Sequence, residues 1–198
     1  MKVLVYSANY GGYDDVIPDA DRRADWHYRR DTVNETHPGD HRLAARLQKI
    51  YPADELWDDY DASIWIDSKA SICGDITVDD FPVEDIACLP HPTRNTVKAE
   101  CDQVYITGKA NPVEQWAAYQ RDGFPDDLGL WETTVMFRRH TPAVRAFCIG
   151  WWDHVRTYTV RDQISLPYIA WCCQHQPVGR LTWKRDKKIS IHNHARHA

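Results

Sequence analysis

Long apolar runs are missing from this chain. Nowhere in its sequence do roughly 18 apolar residues follow one another, the length a membrane-spanning helix takes. No Gly-x-x-x-x-Gly-Lys-Ser/Thr supports a P-loop, no Gly-x-Gly-x-x-Gly a dinucleotide site, and no Gly-x-Ser-x-Gly a serine-hydrolase elbow. Cys-x-x-Cys is absent too, which argues against a structural zinc ribbon. The cysteines are Cys73, Cys88, Cys101 and Cys148, with Cys172-Cys173 adjacent, a pair that rarely bridges to itself without strain. Plain buried thiols are expected. Internal repeats, low-complexity segments and linkers are also lacking, so a single domain over 1–198 is expected, with 190–198 as a C-terminal tail. Positive charge is in deficit, 24 Lys and Arg against 29 Asp and Glu. The balance of −5 speaks mildly against a dedicated nucleic-acid binder, although a local basic patch can still serve.

Apolar material is present in the amount a folded core needs: 43% hydrophobic residues, with 9 Trp and 10 Tyr. Charge is unevenly placed. Asp54 to Asp85 holds eleven carboxylates and one cation, Lys69, whereas Arg180 to Ala198 holds six Lys or Arg against Asp186 alone. A solvated acidic face and a basic tail explain this; the sharper reading folds the tail over an anionic ligand. Met1 to Tyr6 has the apolar length of a strand and lacks the stretch of a secretory signal. A soluble, cytoplasmic chain of a microbe or infected cell is the expectation.

Along the chain, Lys2 to Ser7 reads as a buried strand ending at Ala8-Asn9-Tyr10-Gly11-Gly12-Tyr13, where paired glycines let backbone approach a ligand. Asp25 to Arg30 reads as a second strand, and 41–50 as an amphipathic helix with Arg42, Arg46 and Lys49 on one face. Ala62 to Ile66 carries the strongest strand signal and runs into Asp67-Ser68-Lys69; carboxylates at such strand ends sit where open α/β sheets bind ligands. Ile86 to Leu89 is another strand. Asn111-Pro112 reads as a cap and first turn with Gly123 as the stop. Glu132 to Arg139 alternates like a strand. Thr141-Pro142 opens a helix whose stripe is Val144, Phe147, Cys148, Trp151, Trp152 and Val155, and Arg161-Asp162-Gln163 opens another that runs through about Trp171, with Pro167 as a kink or break. Strands alternating with helices imply an α/β fold with a mixed, mostly parallel sheet flanked by helices.

A strand-terminal Asp, a glycine turn, cations on a helix and Arg-Asp-Gln at a helix start are what transfer from a nucleotide-diphosphate-sugar requires. The diphosphate needs cations or a divalent ion to offset charge as it leaves, and a carboxylate must orient the sugar or take the acceptor's proton. Among the C-terminal histidines His192 is the first choice as a metal ligand, since it follows the strand-like Ile189-Ser190-Ile191. Each residue has a structural alternative: Asp162 as a helix-start charge, Asp67 as a turn former, Glu132 paired to Arg138 or Arg139, and Arg46 and Lys49 as plain surface.

Several segments resemble a GT-A-like glycosyltransferase family first filed as a domain of unknown function, with plant mucilage-type, bacterial and viral members. They are Val5 to Asp14, Tyr60 to Lys69, His91 to Arg94 with Glu100, Trp131 to His140, and Arg161 to Tyr168. The resemblance implies a compact GT-A fold, a nucleotide-sugar donor and glycosyl transfer to an acceptor hydroxyl, on a glycan or on a hydroxylated base in DNA. It puts Asp162 and Glu132 as catalytic carboxylates. Ala8, Gly12, Tyr13, Arg46, Lys49, Asp67, Lys69 and Gln163 fall on the donor side, and His91, Arg94, Glu100 and Trp131 line the acceptor and sugar cleft. Asp67 stands at the place of the Asp-x-Asp motif, but Lys69 stands where its second Asp would be. Two readings follow: Asp67 holds Mn²⁺ or Mg²⁺ with His192, or Lys69 neutralises the diphosphate without metal. A non-catalytic nucleotide- or glycan-binding module and a nucleotide-sugar hydrolase are the alternatives.

Overall fold

Ala62-Ser63-Ile64-Trp65-Ile66 carries no charge and is buried at every position, as a strand covered on both faces must be. In the computed structural model this strand lies inside a six-stranded sheet. The structure describes residues 1–10, 26–30, 40–51, 57–74, 76–174 and 178–191. In chain order the elements are β1 (Val3–Asn9), β2 (Trp26–Arg30), α1 (His41–Ile50), β3 (Ala62–Ile66), β4 (Ala70–Ile72), β5 (Ile86–Pro90), α2 (Val97–Ile106), α3 (Val113–Arg121), β6 (Trp131–Arg139), α4 (Pro142–Thr157), α5 (Asp162–Cys172), β7 (Gly179–Arg180) and β8 (Ile189–Ile191).

The sheet order is β2-β1-β3-β6-β5-β7, and β4 pairs with β8 apart from it. β1 runs parallel to β2 and β3, and β5 to β7, while β6 runs against both β3 and β5. Five strands therefore point one way and β6 alone opposes them, which is the mixed, mostly parallel sheet expected. This reversal puts the start of β6 beside the carboxyl ends of its neighbours: Thr134 O accepts from Asp67 N at 2.8 Å, and Leu130 O from His91 N at 3.0 Å. A register shift between Cys88 and Leu89 re-aims that end of β5.

Alternation along the strands feeds two cores. Leu4, Tyr6, Ala8, Trp65, Cys88 and Met136 face the helices, whereas Val5, Ile64, Ile66, Ala87, Val135 and Phe137 pack with Ile72, Leu181, Trp183 and Ile189. The second face is thus closed by the β4–β8 pair and the segment around Trp183.

The helix starts follow their caps. Asp40 Oδ1 accepts from Leu43 N at 3.0 Å, Thr96 Oγ1 from Ala99 N at 3.2 Å, and Thr141 Oγ1 from Val144 N at 3.2 Å. The α4 stripe is buried as expected, with Trp152 half-buried. Three expectations need correction. α3 starts at Val113, with Pro112 itself in the cap position and Asn111 Oδ1 accepting from Val113 N at 3.3 Å. α5 runs to Cys172, close to the expected end at Trp171, but Pro167 does not break it, because residues Ile164 through Ala170 are all buried and tertiary packing holds the helix. The thiols are free but only Cys88, Cys101 and Cys148 are buried; Cys73, Cys172 and Cys173 are exposed, the first just past β4 and the others at the end of α5.

Arg138 is wholly buried on β6, and no ion pair joins it to a carboxylate of the described residues. Its guanidinium donates to Tyr6 Oη and to Ile50 O, the last carbonyl of α1, where a cation complements the helix dipole. Arg139 pairs with Asp85 at 3.7 Å, so neither arginine meets Glu132. Among the described residues no helix is long and apolar enough to cross a membrane.

Candidate active site

Residues two apart on a strand share a face, and this places Trp65 beside Asp67, the first residue past β3. The indole Nε1 donates to Asp67 Oδ1 at 2.7 Å. Lys49 comes from the end of α1, whose buried face turns its long side chain inward rather than to solvent. Its Nζ stands between two carboxylates, 3.1 Å from Asp67 Oδ1 and 2.9 Å from Asp162 Oδ2. Lys49 is 1% exposed and Asp162 2%, while Asp67 keeps 22%. Thr133 Oγ1 also donates to Asp162 Oδ2, at 2.8 Å. Arg46, nearly a turn before Lys49, places Nε 3.5 Å from Asp162 Oδ1 and donates to Val160 O at 3.2 Å. Burial alone would push the Asp162 carboxyl up; the charges of Arg46 and Lys49 outweigh it and hold the group well below the usual carboxylate range.

A second network adjoins the first through the consecutive residues Arg161 and Asp162. Glu100, from α2, is wholly buried and gripped from two sides. Arg94 Nε donates to its Oε2 at 2.7 Å and Arg161 Nη2 to its Oε1 at 2.8 Å. Arg161 Nη2 also donates to Gln163 Oε1 at 3.1 Å. His91 follows β5; its Nδ1 accepts from Arg94 N at 3.0 Å, and its Nε2 lies 2.9 Å from Arg94 Nη2. Burial, and then the charge of Arg94, lower the imidazole below its ordinary range and keep it neutral at pH 7.

Glu132, the second residue of β6, differs from the other carboxylates at this edge. It accepts a hydrogen bond from Thr134 Oγ1 at 3.0 Å and makes no ion pair with any described residue. Beside it Trp131 is half-buried, with its Nε1 buried and without a hydrogen-bond partner.

The fold therefore brings Arg46, Lys49, Asp67 and Asp162 together, and next to them His91, Arg94, Glu100, Trp131, Glu132 and Gln163. Lys69 is partly exposed, two residues past Asp67 on the turn into β4. The methyl of Ala8 points elsewhere, into the helix-side core at 5% exposure. Gly12, Tyr13 and His192 lie outside the described residues. Along α1, Arg42 is exposed, Arg46 half-buried and Lys49 inside, so the face expected to bear three cations dips into the protein at its C-terminal end. Trp65 and Thr133 were not anticipated. Trp65 was readable from the strand period, whereas Thr133 depends on how β6 meets α5, which no local pattern encodes.

The family model for the TOD1/MUCI70, glycosyltransferase-like domain matches residues 28–197. The chain belongs to this family. Four of the five segments quoted above fall within the match, and Val5 to Asp14 precedes it. Among solved structures, the WbbM bifunctional glycosyltransferase in its apo form is similar, with a TM-score of 0.51, 12% identity, and coverage of 92% of this chain and 39% of that one. At that identity the likeness concerns the fold, and the chain spans about two fifths of that neighbour's length. No curated protein matches. For this TOD1/MUCI70-type domain a glycosyltransferase-like function is thereby supported.

Proposed function

We propose that this domain works in the GT-A manner, moving a sugar from a nucleotide-diphosphate-sugar to an acceptor hydroxyl, with a glycan as the acceptor. The observation that carries the reading is Glu132, a carboxylate with no ion pair among the described residues, set beside an ion-paired cluster at the carboxyl edge of the sheet. Ligands of open α/β sheets bind at that edge. The nucleoside lies over the end of β1, the diphosphate over Asp67 and Lys69, and the sugar toward His91, Arg94 and Trp131. Arg46 and Lys69 supply fixed positive charge where the diphosphate leaves, which stabilises the departing anion without reorganisation. Glu132 takes the proton of the acceptor hydroxyl as that oxygen attacks the anomeric carbon. Asp162 is a positioning residue: at 2% exposure its oxygens hold Lys49 and Arg46 in place.

A divalent ion fits this edge poorly. No group of three His, Cys, Asp or Glu capable of holding a metal occurs among the described residues. Three of the four oxygens of Asp67 and Asp162 already face a lysine, an arginine, an indole or a hydroxyl. No step of the mechanism is therefore routed through a metal. A second acceptor class, a hydroxylated base in DNA, draws support from the exposed Arg180 of β7 and the exposed Lys184 and Lys187 between β7 and β8, and strong salt dependence of acceptor binding would be its mark.

The test is a thermal-shift panel of UDP, GDP, CDP, ADP and dTDP, followed by turnover with the matching sugar donors. Glu132→Gln is expected to keep the nucleotide shift while transfer falls about 10²–10⁴-fold, the usual worth of a general base. Binding without turnover across donors and acceptors would instead make the domain a binding module. Sugar release to water, undiminished by any acceptor, would make it a hydrolase.

A further inference from the structure

Lys49 is the one residue of the cluster whose charge touches both carboxylates, and its placement goes beyond surface complementarity. An ammonium buried at 1% exposure needs counter-charge, and it has two: Asp67 Oδ1 at 3.1 Å and Asp162 Oδ2 at 2.9 Å. The remaining bonds tighten the arrangement. Trp65 Nε1 takes the same oxygen of Asp67, Thr133 Oγ1 the same oxygen of Asp162, and Arg46 faces the other. Only Asp67 Oδ2 accepts nothing from the described residues.

A small hard cation such as Mg²⁺ demands about six oxygen ligands near 2.0–2.1 Å. Among the described residues Asp67 and Asp162 together offer it one uncommitted oxygen, on a carboxylate whose other oxygen already holds an ammonium. Lys49 and Arg46 together balance Asp67 and Asp162, so these two carboxylates keep no net negative charge to draw a dication. The residue two positions past Asp67 adds a further cation, Lys69, rather than a carboxylate.

We infer that the Lys49 ammonium is the resident cation of this site, standing between Asp67 and Asp162 where a divalent ion would otherwise bridge them, and that nucleoside-diphosphate binding here is independent of metal. The inference rests on the reading of this edge as a nucleotide-diphosphate site, and it specifies how that site is neutralised. Lys49 acts through the two carboxylates it fixes. Arg46 and Lys69 are the groups that meet the phosphate oxygens.

Two measurements on the whole chain decide it. The first is the Kd of UDP, GDP, CDP, ADP and dTDP in EDTA and in Mn²⁺; the expected result is the same Kd in both. A nucleotide that binds only with Mn²⁺ overturns the inference. The second needs no nucleotide: the electron-spin-resonance signal of free Mn²⁺ is followed as protein is added. The native chain and Lys49→Arg are expected to leave the signal unchanged, whereas Lys49→Ala, its fold checked by circular dichroism, vacates the bridge and takes up Mn²⁺. Stoichiometric Mn²⁺ uptake by the native chain overturns the inference even if Lys49→Ala does not fold. If no nucleoside diphosphate binds in either condition, the functional reading fails, and the Mn²⁺ comparison still decides the place of Lys49.

Discussion

At the scale of single residues, buried charge sets the largest energies. Asp162→Ala removes one of the two counter-charges of Lys49, which is 1% exposed, and the carboxylate that faces the half-buried Arg46. Breaking a buried pair from one side costs about 3–5 kcal/mol, so the urea midpoint of this variant is expected to fall sharply, and nucleotide binding with it. Because the Asp162 carboxyl is lowered in the folded state, its stabilisation is full above the ordinary carboxylate range and is lost only as pH falls through the depressed native value. His140 behaves differently. Burial, and then the charge of Arg138, push its imidazole down from 6.5 to about 4. Its Nδ1 lies 2.8 Å from Tyr60 O and 3.0 Å from Trp57 O, its ring stacks on Trp57 at 4.3 Å, and its Nε2 is buried without a partner. The unfolded chain therefore takes up this proton first. The His140 contribution to stability is expected to drop as pH falls from 6.5 toward 4 and to flatten below, and His140→Gln is expected to reduce the slope over that range in urea melts at stepped pH.

At the scale of elements, edges and caps govern. β7 lies against β5 with no room for a side chain: a Cβ on Gly179 would come within 2.9 Å of the Ala87 Cβ and 2.8 Å of Glu84 Oε2. The Glu84 carboxylate can swing away, but the Ala87 Cβ is fixed to the backbone of β5. Gly179→Ala is expected to lower stability by about 1–3 kcal/mol, the usual cost of overpacking, as read from the denaturation midpoint. Elements with strong local signals were legible in the sequence. α1 and β3 occupy the residues their patterns assign, since a charged face recurring every turn and an uncharged five-residue run each admit one structure. α2 was overlooked although its signal exists: Thr96 caps it, and Val97, Cys101 and Val104 recur at helical spacing. β4 and β7 are two or three residues long, so pairing rather than propensity makes them and no local pattern announces them, whereas β8 occupies the strand-like Ile189-Ser190-Ile191. The site shows the same division. Asp67 and Asp162 were readable as ends of elements, whereas the burial of Lys49 depends on α1 packing beside β1 and β3, a long-range fact.

At the scale of the whole molecule, a single sheet separates two cores of unlike construction. Helices cover one face; short strands and the loop carrying Trp183 cover the other. The candidate site lies where both meet, since Asp67 leads directly from β3, at the centre of the sheet, into β4, which belongs to the second layer. The cysteines divide unevenly between these layers: Cys88, Cys101 and Cys148 all sit in the helix-side core, and the opposite core contains none. The chain consequently carries its own reporter of partial unfolding. A thiol-reactive dye is expected to label Cys73, Cys172 and Cys173 at once in the native protein and the other three only when the helical layer parts from the sheet. Opening of the β4–β8 side alone would leave the count of reacted thiols unchanged, so comparing dye uptake with Trp183 fluorescence distinguishes which wall of the molecule gives way first.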